Sequence, residues 1–124
     1  MKVSYSKVIN TIQAINSIEN LPRSPKALIA LSRNLDKLNK ENEIYIAARK
    51  KLWAEIFGDK QEVDQNDPNV PKFRRMDQEL LASEIDFQPT QFSMSDFNLE
   101  NVSISPKAFN LITWLISDYN QEGN

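Results

Sequence analysis

The residues nearest to chemistry in this chain are carboxylates. Asp64, Asp67, Asp77, Glu79, Glu84 and Asp86 follow one another closely in the second half. Oxygen donors grouped in this way suit a hard cation such as Mg²⁺ or Ca²⁺, or carboxylate-only acid–base work. Their spacing supports neither. The stretch from Asp64 to Asn69, Asp-Gln-Asn-Asp-Pro-Asn, lacks both the spacing of a calcium loop and the glycine that turns it. Glu84 and Asp86 alternate as on one face of a strand, which reads as a solvent face. Histidine and cysteine are absent from all 124 residues. The commonest general base, thiol nucleophiles, disulfides and thiolate-bound metals are therefore missing. Gly58 and Gly123 are the only glycines, so no phosphate-cradling loop can be built. We expect no enzyme, and no catalytic, metal or cofactor-binding residue.

Two segments set basic residues beside aromatics: Ala48–Trp53, with Arg49, Lys50 and Lys51, and Pro71–Asp77, with Lys72, Arg74 and Arg75. That mixture can serve a nucleic-acid backbone. It also describes a solvated helix face with Trp53 and Phe73 turned into a core, which is the reading adopted here. Charge is unevenly spread. Residues 1–60 hold 11 Lys and Arg against 6 Asp and Glu, and residues 61–124 hold 4 against 11, for a net of −2. A bipolar chain either pairs its halves internally or offers a charged face to a partner. Nucleic acid is not an expected partner, and neither is a membrane, since no apolar run approaches the ~20 residues that span a bilayer. The start, Met1–Ile12, does not resemble a signal peptide.

The elements follow from periodicity and punctuation. Lys2-Val3 is a very short strand or an arm. Ser4 or Ser6 then caps a helix with Val8, Ile9, Ile12, Ile15 and Ile18 on one face. Asn20–Pro25 breaks it. Ser24 as N-cap and Pro25 at the first helical position open a second helix that runs to about Phe57, with Gly58 as C-cap. At about 1.5 Å per residue it is on the order of 50 Å long. A bend is allowed at the weaker stretch 39–43. Residues 58–71 are a polar loop. Pro71 opens a third helix carrying Phe73, Met76, Leu80 and Leu81. The alternation of Ile85 with Phe87, and of Phe92 with Met94, predicts one or two short strands interrupted at Pro89, with Val102–Ile104 available to pair. Ser105 and Pro106 start a last helix with Phe109, Ile112, Leu115 or Ile116, and Tyr119 inward. The expected fold is mainly α (α+β), a single domain over 1–124. It has one long helix packed with three shorter ones, a two- or three-stranded β element in the C-terminal half, and a frayed tail at 120–124.

Along the long helix, Leu28, Leu31, Leu35, Leu38, Asn42, Tyr45, Arg49, Leu52 and Ile56 form a heptad seam with two polar members. Asn42 and Arg49 either set the register of an oligomer or partner seam, or simply reach water. Most of the seam is expected to be the chain's own core, packed by the first and last helices. The far stretch, about Asn39 to Trp53, is expected to meet something else. Candidate partner contacts are Asn42, Tyr45, Arg49 and Trp53 on the helix, and Asp77, Glu84 and Asp86 on an acidic face.

The order of patterns resembles a family of small tailed-phage and prophage proteins, mostly from Gram-positive hosts, with no assigned activity. The resemblance lies in the proline-started helix with Asn34, Leu35 and Leu38 followed by Arg49–Leu52. It continues in Phe73–Phe87, with its Glu-Leu-Leu step, and in the serine-proline-started segment Val102–Ile116. It implies a phage protein without enzymatic activity, located in the host cytoplasm or in the virion. The expected function is binding to a protein of the phage or its host, in an accessory or assembly role, with a second copy of the chain as a further possible partner. The alternative is inhibition of a host enzyme or defence complex through the acidic C-terminal half.

Overall fold

The computed structural model describes residues 1–22 and 24–119, so the tail expected at 120–124 lies outside the described residues. The chain is mainly helical. In order it forms β1 (Lys2–Ser4), α1 (Tyr5–Asn16), α2 (Pro25–Phe57), α3 (Val70–Ala82), β2 (Glu84–Asp86), α4 (Met94–Phe97) and α5 (Pro106–Ile112). A single 3₁₀ turn follows α4 at Leu99–Asn101, and another follows α5 at Thr113–Leu115.

Local chemistry sets the helix ends. Ser4 is extended, and its Oγ accepts from the Lys7 N–H at 3.1 Å, so Ser4 rather than Ser6 caps α1. Ser105 does the same for α5, through the Ala108 N–H at 3.1 Å. Ser24 precedes Pro25 as expected, but its hydroxyl makes no cap bond, so α2 starts on backbone geometry and the proline alone. Gly58 closes α2 at φ 67°, a left-handed angle that favours glycine, and its N–H reaches Ala54 O at 2.9 Å. Between those ends α2 is one uninterrupted helix of 33 residues, without a break at 39–43. There the Tyr5 hydroxyl donates to Glu41 at 3.3 Å, and the buried Leu38 and Tyr45 flank the stretch.

α2 carries two apolar clusters. Its first half buries Ala27, Ala30, Leu31 and Leu38 against α1, α5 and the 87–116 segment, in a core completed by Val8, Ile12, Ile15, Phe92, Phe97, Ile112 and Leu115. Its second half buries Leu52 and Phe57 with Phe73 of α3, and Trp53, Val63, Val70 and Met76 pack around them. The far stretch of α2 thus meets the chain's own α3. A 33-residue helix outruns one core of this size, and the apolar residues of α3 cover what projects.

The small sheet differs from expectation. It has two antiparallel strands, but only β2 comes from the C-terminal half. Its partner is β1, in the register Lys2 to Asp86, Val3 to Ile85 and Ser4 to Glu84. Val102–Ile104 is not a strand and offers a single carbonyl, Ser103 O, to the Glu19 N–H at 3.0 Å. The Phe92 and Met94 alternation is not a strand pair either. Phe92 makes one isolated parallel bridge with Ile116, and Met94 opens α4. A capping box drives that turn: Ser93 Oγ accepts from the Asp96 N–H, and the Asp96 carboxylate accepts from the Ser93 N–H. After Ile112 the chain tightens into a 3₁₀ turn instead of continuing α5 to Tyr119.

A buried amide holds the segment after β2. Asn34 of α2 is fully buried, and its Nδ2 donates to Thr90 O at 2.8 Å while the Thr90 N–H donates to its Oδ1 at 2.7 Å. One side chain thereby satisfies both backbone groups of Thr90, as a neighbouring strand would. Among the described residues, three ion pairs join the basic half of the chain to the acidic half: Lys2 with Asp86, Lys26 with Asp96 and Arg49 with Asp77. Exposed pairs add little stability, yet they give the bipolar charge an internal use.

Replacing Asn34 with alanine leaves the Thr90 donor and acceptor unpaired and opens a cavity in the main core. We expect a loss of about 2–4 kcal/mol. In urea denaturation it appears as a lower midpoint with an unchanged slope. An unchanged midpoint would show that water replaces the amide without penalty.

Candidate functional site

The arm made by the second half of α2 and by α3 gathers most of the candidate residues. α3 runs back along α2, so Phe73 meets Trp53 and Phe57 at centroid distances of 5.3 and 5.9 Å, and Asp77 comes level with Tyr45 and Arg49. Trp53 is anchored twice, by its ring against Phe57 at 4.5 Å and by Nε1–H donating to Lys60 O at 2.7 Å. That second bond ties the start of the polar loop to the helix. Within the loop the Asp64 and Asp67 carboxylates accept from the Asn66 and Asn69 N–H groups, at 2.8 Å each. Such turns occupy short acidic side chains locally. Among the described residues no group of carboxylates is placed to hold a metal ion.

Asp77 is the hub of the arm's polar side. It accepts from the Tyr45 hydroxyl at 2.6 Å and pairs with Arg49 Nε at 3.4 Å, while the Arg49 guanidinium lies 5.0 Å over the Phe73 ring. Tyr45 is buried and also faces Tyr5 of α1 at 5.9 Å, so the hub joins α1, α2 and α3. Burial, then the hydrogen bond to Asp77 and that carboxylate's charge, push the Tyr45 hydroxyl up to about 12, with Arg49 pulling weakly the other way. Tyr5 is raised as well, by burial first and by Glu41 second. Both phenols therefore stay protonated as donors near neutral pH.

The two expected faces are consequently regrouped. Tyr45, Arg49 and Trp53 of the helix seam turn toward α3, and Asp77 of the acidic face meets them there. Asn42 is half-buried beside this hub. Glu84 and Asp86 stay apart, exposed on β2 with Ile85 turned inward, and Asp86 pairs with Lys2 at 3.1 Å. Asp77 therefore does not form a common acidic surface with them. Of the basic residues beside aromatics, Lys50, Lys51, Lys72, Arg74 and Arg75 are exposed, while Trp53 and Phe73 pack in the second cluster.

The feature that sequence reasoning missed lies on the opposite flank of the same arm. A groove of about 790 Å³ runs between α2 and α3. Ala48, Leu52, Met76 and Leu80 supply its apolar floor, and Lys51, Glu55 and Glu79 its charged rim. Ile44 and Ile46 stand exposed on the same stretch of α2, at 56% and 42%. The signal was present in the sequence: Ile44, Ala48, Lys51 and Glu55 recur at helical spacing beside the leucine seam.

The Tyr45 bond has a pH signature. Its folded value lies above the ordinary 10.0, so its stabilisation is whole below pH 10. It is lost as pH rises toward about 12, where the unfolded chain ionises first. Denaturation midpoints across that range should fall with pH, and Tyr45→Phe should flatten the fall. At neutral pH the same substitution should lose about 1–2 kcal/mol, because Asp77 keeps only Arg49. A Tyr45→Phe protein with an unaltered alkaline slope would remove Tyr45 from the linkage.

No family model, curated protein or solved structure matches this chain.

Proposed function

We propose that this chain is a non-enzymatic phage protein that acts by binding another protein. The arm of α2 and α3 is its docking element, and an accessory or assembly role on phage components is its job, in the host cytoplasm or in the virion. The observation that carries the reading is the uncovered groove, an apolar floor of Ala48, Leu52, Met76 and Leu80 with Ile44 exposed on α2 one turn before Ala48. Apolar surface concentrated in a concavity is unfavourable to leave in water, and amphipathic helices lie in such grooves. The phage context rests on the resemblance of the sequence pattern to small tailed-phage proteins. Inhibition of a host enzyme or defence complex through the acidic half is the second reading. It keeps the exposed Glu84 and Asp86 but loses Asp77, which is occupied by Tyr45 and Arg49.

A tagged chain recovered from phage-infected cells, with mass spectrometry of what it retains, tests this reading. We expect virion or other phage proteins to be retained by the wild type and lost on Ala48→Trp, which fills the groove. Recovery of one host complex in their place would favour inhibition. Retention indifferent to Ala48→Trp would remove the arm as the docking element.

A further inference from the structure

The groove and its neighbour on α2 are complementary to each other. Ile44 is 56% exposed and stands one helical turn before Ala48, on the face that walls the groove. The chain therefore carries a large apolar knob and an apolar hollow on one side. A two-fold axis makes that combination self-matching, because each copy supplies both halves.

The charges agree. α3 runs antiparallel to α2, with Phe73 near Trp53 and Phe57 and Asp77 near Tyr45 and Arg49. Glu79, further along α3, lines the groove together with Ala48. A second α2 can be laid antiparallel along the groove, with the axis between Ala48 and Lys51. Lys51 of the second copy then comes level with Ala48 and beside Glu79. Ile44 of the second copy comes level with Glu55, over the Leu52 end of the hollow. The small side chains at Ala47, Ala48 and Ala54 allow close approach of the two helices. The two-fold axis repeats this match, so Lys51 of each copy faces Glu79 of the other across the groove.

We infer that this flank of the arm is the interface of an antiparallel homodimer, built on Ile44 packing into the α2–α3 groove of the other copy and on Lys51 facing Glu79. The inference rests on the arm being the docking element and names the occupant of its groove as a second copy of the chain. The contact covers about three helical turns, so the dimer is modest, with a dissociation constant on the order of 10 µM.

Sedimentation equilibrium of the purified full chain, from low micromolar to near-millimolar concentration, tests it. The wild type should pass from monomer to dimer. Ile44→Glu, at an exposed position, should raise the dissociation constant about tenfold or more while the circular dichroism spectrum stays that of the folded chain. Lys51→Glu and Glu79→Lys should each weaken the dimer, and the K51E/E79K double variant should restore it, because both cross-copy pairs are rebuilt with reversed sign. A wild type that stays monomeric throughout overturns the inference, and so does a dimer insensitive to I44E and to both single reversals. These measurements contain no other protein. A monomer that still captures phage proteins in an Ala48→Trp-sensitive way removes the second copy as occupant and leaves the arm's docking role standing. Capture indifferent to Ala48→Trp removes that role itself.

Discussion

A single buried amide organises the main core. Asn34 sits where an apolar residue would be the ordinary choice, fully removed from water on the inner face of α2. A carboxamide so placed is strongly unfavourable unless its hydrogen bonds are satisfied, and Thr90 satisfies them with both of its backbone groups. The consequence reaches well beyond the pair. Fixing Thr90 against α2 sets where Phe87 and Phe92 enter the core, on either side of the clamp. From Phe87 the chain runs back into β2 and so to β1. From Phe92 it runs forward to the bridge with Ile116 and the Ser117 N–H, which donates to Phe92 O at 2.8 Å. Among the described residues every buried side-chain nitrogen or oxygen has a partner, so the polar atoms inside specify the arrangement without an uncompensated penalty.

The second cluster obeys a different constraint. α2 extends past the main core, and its Leu52 and Phe57 would be solvated without α3. Covering them leaves the two flanks of the arm unlike. One flank is closed by the Tyr45–Asp77–Arg49 hub and the Trp53–Phe73 contact. The other keeps an apolar hollow bordered by charge. A helix pair covers only the stripes that face each other, and α1 meets the arm on the hub side through Tyr5, so the opposite groove stays open. The arm's exposed surface thus follows from how few elements are available to enclose a helix this long.

Much of this architecture was legible from residue types. The Ser4, Ser105 and Gly58 caps, the proline starts at Pro25 and Pro106, and the apolar stripes of α1 and α3 carry their own physical reasons and appear where expected. The β element was half legible. Ile85 flanked by acidic residues marks β2, but nothing local says that its partner is Lys2–Ser4, because strand pairing is a tertiary choice. The alternation at Phe92 and Met94 imitates a strand, but the Ser93–Asp96 capping box turns the chain into a helix there. At the arm, the seam marks Tyr45 and Arg49 but does not name Asp77 as their partner. Asp77 reads as one more carboxylate until α3 folds back. The spacing of Ile44, Ala48, Lys51 and Glu55 marks one wall of the groove, but no pattern within one helix states that nothing covers it.

The pairing of β1 with β2 also makes one order of assembly less costly than another. Lys2 and Asp86 lie 84 positions apart, so closing that ladder early would forfeit much of the chain's freedom for very few backbone bonds. α1 and α2 are neighbours along the chain and can collapse on each other first, as a helical hairpin. During ribosomal synthesis that hairpin emerges before Phe92, Phe97, Ile112 and Leu115 exist to cover it, with Leu31 and Leu38 still bare. The nascent chain passes through a sticky stage that ends only when the 87–116 segment arrives. The Asn34 amide, already on the helix, is then the polar landmark that receives it.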